Sequence, residues 1–154
     1  MKKLYIPLFL LLFIAAFSAC KKDKSVTPLV VSKAVGSWNA DKAINENYDS
    51  SGKLQFSDTT VLHNTYIFNL KNDGTGNVLV SGKTELTFKY SLTDTKINYS
   101  SVVYYNLDGT RAGTEADYFE TMPTLTNTNM VTVLEQDFSD GTGKSLTTIY
   151  FTKQ

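Results

Sequence analysis

The residues able to do chemistry are few and scattered. His63 is the only histidine and Cys20 the only cysteine. A metal centre needs several ligands in one neighbourhood, and no His/Cys/Asp cluster surrounds His63. A general base needs a nucleophile beside it, and no serine sits in a Gly-x-Ser-x-Gly elbow. Gly141-Thr142-Gly143-Lys144-Ser145 has the look of a phosphate-binding loop. The full pattern requires glycine where Phe138 stands and a helix afterwards, whereas Leu146 to Phe151 alternates as a strand. A hairpin turn is the expectation there. Asp137 and Asp140 share that loop without calcium-loop spacing. The expectation is a protein with no catalytic residues, metal or cofactor.

What the sequence organises sharply is its beginning. Met1-Lys2-Lys3 is basic, Leu4 to Phe17 is apolar apart from Pro7, and Phe17-Ser18-Ala19-Cys20 follows. The apolar run is shorter than the ~18–20 residues of a membrane-spanning helix, and its flanks are those of a secretory signal. The segment resembles the lipobox of bacterial lipoproteins, with Phe17 in place of the commoner leucine. That resemblance implies cleavage between Ala19 and Cys20 and acylation of the Cys20 thiol. The partner implied is a lipid bilayer, and the place is the bacterial envelope, at the outer membrane. Two or three acyl chains anchor stably where one anchors marginally. A lone cysteine also rules out an intramolecular disulfide, so the core alone must hold the fold.

The three parts expected are a signal at 1–19, a lipidated cysteine with a flexible tether at 20–33, and one domain at 34–154. The charged run Lys21-Lys22-Asp23-Lys24 is either a solvated linker or, by loose resemblance, a surface-export signal. Fifteen basic residues balance fifteen acidic ones, and cleavage would remove two of the lysines. That excludes the strong basic surplus of a nucleic-acid-binding domain.

Threonine, tyrosine and phenylalanine are abundant, and turn signals recur at Ser51-Gly52, Asp73 to Gly76, Ser81-Gly82, Thr93-Asp94, Asp108-Gly109, Asn127 to Asn129 and Asp140-Gly141. Between them apolar residues alternate, most clearly Leu86, Phe88, Tyr90 and Leu92. Ile97, Tyr99, Val103 and Tyr105 are expected to share a face, and Leu146 to Thr152 to lie beside the first strand. No amphipathic helix is evident. The fold class is all-β, an antiparallel barrel of about eight strands or a sandwich, with short successive connections favouring the barrel.

Gly36-Ser37-Trp38 at the first strand, with Phe68 to Gly76 and the closing Thr148 to Lys153, resembles the lipocalin-like lipoproteins. The resemblance implies an up-and-down barrel whose bottom is closed by Trp38, with Gly36 allowing the bend. Lipocalins usually cover that tryptophan with a late arginine. The only arginine here is Arg111, so Lys153 or Lys144 is expected to cover it instead. Phe68, Leu86, Phe88, Tyr90, Tyr99, Tyr105 and Tyr150 would line the interior, around a small hydrophobic or amphipathic ligand or as plain core packing. Tyr104 and Tyr105 should point to opposite faces.

Overall fold

The computed structural model describes residues 28–154. A short helix α1 (Pro28–Ala34) precedes ten strands: β1 (Gly36–Asp49), β2 (Leu54–Val61), β3 (Tyr66–Leu70), β4 (Thr75–Val80), β5 (Lys83–Leu92), β6 (Lys96–Tyr105), β7 (Arg111–Glu115), β8 (Tyr118–Leu125), β9 (Asn129–Asp137) and β10 (Gly143–Lys153). Helix α1 lies partly where a flexible tether was expected. Pro28 opens it at the position where a missing N–H costs nothing. Val30 and Val31 pack against the core, and Ala34 is fully buried. Seven residues are too few to display a helical period in sequence.

Ten segments make eight staves. Gly36 to Asn39 of β1 pairs with β3, while Lys42 to Tyr48 pairs with β2 on the same edge. So β2 and β3 are one antiparallel neighbour of β1, interrupted at 62–65. In the same way β6 pairs with β7 through Val102 to Tyr105 and with β8 through Lys96 to Tyr99. Each interruption lacks a turn signal because the chain continues in the same direction. The seven turn signals account for the seven hairpins. Pairing of β1 with β10, from Trp38 opposite Lys153 to Asp49 opposite Gly143, closes the sheet. The result is a closed antiparallel barrel in up-and-down order.

The hairpins are locally encoded. Asp73 Oδ1 accepts hydrogen bonds from Thr75 N and Oγ1, at 2.9 and 2.6 Å. Asp108 with Thr110, Asp140 with Thr142 and Asp49 with Ser51 repeat the device. An aspartate side chain thereby imitates the turn's own backbone.

Candidate functional site

The inward face begins at the closed end. Trp38 is fully buried and donates its indole N–H to the Ala34 carbonyl at 2.7 Å. Lys153 Nζ lies 5.0 Å from the Trp38 ring centroid and donates to the Lys33 carbonyl at 2.8 Å. Lys153 thus covers the tryptophan, while Lys144 pairs with Glu135 in the hairpin strands β9 and β10. Gly36 makes the arrangement possible: its φ is +140°, and a Cβ there would stand 2.6 Å from Lys153 Cε.

Above Trp38 lies an aromatic layer. Phe68 stacks on Phe88 at 5.5 Å between centroids and tilts against Phe151 at 5.6 Å. Tyr99 meets the edge of Phe88 at 5.2 Å and stacks on Tyr118 at 4.7 Å. Gly76 leaves room for the Phe88 ring. Leu86 packs against this core, and so does Tyr90, whose hydroxyl donates to the Lys71 carbonyl at 2.7 Å. Phe68, Leu86, Phe88, Tyr90 and Tyr99 therefore face inward, packed in the core.

Tyr105 and Tyr150 do not. Ser101 has φ +53°, a left-handed residue that shifts the phase of β6. Val102 is buried and Tyr104 packs on the core, leaving Val103 and Tyr105 outside. Tyr105 lies at 3.5 Å from the Thr87 hydroxyl on the outer face. Tyr150 alternates with the inward Ile149 and Phe151, and Lys42 Nζ rests 4.5 Å from its ring on the outside. Cys20 and Ala19 lie outside the described residues.

The upper interior is polar in a way the sequence did not reveal. Glu120 on β8 points inward, where Tyr99 donates to its Oε2 at 3.2 Å. Burial pushes the Glu120 carboxyl above its ordinary range, and the nearby Thr132 and Tyr99 hydroxyls only partly oppose that. Thr132 Oγ1, on a side chain with 1% exposure, makes no hydrogen bond of good geometry. Burial, then Glu120, keeps the Tyr66 and Tyr118 hydroxyls protonated far above the usual phenol range. Burial and the Glu115 carboxylate push Tyr104 up to about 12.

The cavity among Tyr66, Phe68, Tyr99, Tyr118, Glu120 and Phe151 has a volume of about 20 Å³. One water needs roughly 10–15 Å³ on this measure, and small-molecule sites run to about 300–1,000 Å³. The inward aromatics are spent on one another. His63 is exposed between β2 and β3, and among the described residues no group of three His, Cys, Asp or Glu is placed to hold a metal.

The fold is an all-β closed barrel of eight staves, the architecture of lipocalin-like proteins. No family model matches the chain, and no curated protein matches it.

Proposed function

We propose that the chain is a lipid-anchored, non-enzymatic lipoprotein of the bacterial envelope, acting through the outside of a filled barrel. The observation that carries this reading is the packed aromatic layer, where the cavity among Tyr66, Tyr99 and Phe151, about 20 Å³, leaves room for no ligand larger than water. The outer face supplies the alternative surface. Ile44 and Tyr48 on β1, Leu146 and Tyr150 on β10, and Val131 and Val133 on β9 occupy neighbouring outward positions in register. On that face they alternate with Lys42, Glu46, Lys144 and Glu135, so rings and charges stand side by side, a mixed surface suited to a protein or glycan of the envelope. Helix α1 enters at the closed end beside Trp38. An anchor at Cys20 would hold that end toward the bilayer and direct the Asp49, Asp108 and Asp140 turns, at the opposite end, away.

The test has two parts, made in cells producing the chain with its own leader. Palmitate should label the wild type and not Cys20→Ser, which should leave the membrane fraction. A photo-crosslinking residue at position 146 or 150 should give a discrete adduct, while one at position 87 or 105 should not. Equal labelling of Cys20→Ser would remove the anchor, and the absence of any adduct at 146 and 150 would remove the outer face.

A further inference from the structure

The barrel wall is open between β7 and the upper half of β9. Strand β8 pairs with β9 only through Thr121 to Leu125, so Leu134 to Asp137 are paired on the β10 side alone. The gap is a cleft of about 450 Å³, a size that suits a small organic ligand. Tyr104, Tyr118 and Phe119 supply its aromatic wall, and Glu115, Asp117 and Glu135 its charge.

The charges are unequally used. Glu135 is neutralised by Lys144 at 2.7 Å. Glu115 accepts the Tyr104 hydroxyl proton in a hydrogen bond, which orients it without cancelling its charge. Asp117 makes no ion pair among the described residues, and no lysine or arginine lines the cleft. The aromatic patch already carries an ammonium in one place: Lys96 Nζ stands 3.8 Å from the Phe119 centroid. Phe119 remains 49% exposed, with surface left for a second contact.

Three ligand classes fit poorly. An anion would meet the carboxylates. A neutral apolar molecule would strip water from Glu115 and Asp117 without compensating them. A bare divalent ion needs a convergent set of oxygen ligands, and no such group of acidic residues or histidine occurs among the described residues. We infer that the cleft binds an alkylammonium ligand, with the nitrogen between Glu115 and Asp117 and its methyl or methylene groups against Tyr118 and Phe119. The site opens through the wall beside the inward-facing Tyr104 and Tyr118, apart from the packed aromatic layer around Phe68 and Phe88, and stands whether or not the outer face binds a partner.

The experiment is calorimetric or NMR titration of the purified full chain in a nonionic detergent. The probes are choline, spermidine and the neutral tert-butyl analogue of choline. Saturable binding of a cationic probe is expected, with the neutral analogue at least about tenfold weaker. Two folded variants should each weaken it by about the same factor: Glu115→Gln with Asp117→Asn, which removes charge, and Phe119→Leu, which alters only an exposed ring. No saturable binding of either cation, equal binding of the neutral analogue, or binding unchanged in both variants would overturn the assignment.

Discussion

Lys153 covers Trp38 from the last strand, its ammonium 5.0 Å from the indole centroid, across the seam where β10 meets β1. The contact joins the two ends of the domain at the barrel's closed end. It also ties α1 to the sheet, because the same ammonium donates to Lys33 and the same indole donates to Ala34.

Lys153→Met keeps most of the alkyl stem and removes the charge. It should destabilise the protein by about 1–2 kcal/mol, the range for a partly desolvated cation–π contact plus a lost charged hydrogen bond. Gly36→Ala should cost more, since it combines an unfavourable φ with a clash against Lys153 Cε. Adding Lys153→Ala to Gly36→Ala should recover the steric part and leave the backbone part. Denaturant unfolding of the four proteins in that cycle measures the coupling. Strict additivity would show that Gly36 is not there to make room for Lys153.

Ser101 sets which tyrosines face inward. Its left-handed φ suits glycine, so Ser101→Gly should be neutral or stabilising. Ser101→Val places a β-branched residue there and should cost about 1–3 kcal/mol. Tetranitromethane nitration read by peptide mass spectrometry, with Tyr104→Phe and Tyr105→Phe as controls, reports the faces, because each tyrosine is then scored separately among the nine. Tyr105 should be the more accessible of the two.

How much of this was legible in the sequence depends on the range of the signal. Turns written in two to four residues were readable, because Asp73-Gly74-Thr75 and its repeats carry their own hydrogen bonds. Trp38 and the closure by Leu146 to Thr152 were readable for the same reason, from residues with a strong local identity. The phase of β6 beyond Ser101 was not: a bulge adds one residue without a compositional mark, and strict alternation then assigns Tyr105 to the wrong face. Tyr150 failed otherwise. Leu146, Thr148 and Tyr150 are as apolar as Thr147, Ile149 and Phe151, so only pairing with both neighbours decides the inner face. The Glu120 cluster and the wall cleft depend on where β8 stops pairing with β9, a tertiary fact.

Glu120 predicts a pH dependence of unusual sign. Its folded pKa lies above the unfolded value because burial disfavours the carboxylate. The folded state therefore holds the proton more tightly, and its penalty appears as pH rises from the ordinary glutamate value through the folded one. Glu120→Gln should raise Tm at pH 7, and the gain should shrink as pH falls and vanish by about pH 3, below the ordinary glutamate value, where the side chain is protonated in both states. A gain independent of pH would contradict the burial argument.

The turn aspartates behave oppositely. Hydrogen bonds from Thr75, Thr110 and Thr142 hold Asp73, Asp108 and Asp140 below the usual carboxylate range. Their contribution is complete above the unfolded aspartate value and is lost as pH falls through the folded one. Replacing all three with asparagine keeps an acceptor oxygen and should flatten the acid limb of the stability curve below about pH 4. An unchanged limb would mean other carboxylates control it.

The filled barrel is the claim on which the functional reading turns, and native mass spectrometry tests it most directly. The chain without its leader and lipid would be incubated with a total envelope lipid extract and measured beside Phe88→Ala, which opens the aromatic layer. The wild type should show only its own mass, and the variant should acquire a bound apolar molecule if its fold is retained. A reproducible bound mass on the wild type, displaced when Tyr99 is changed to tryptophan, would contradict the account and return the interior to the role of a ligand site.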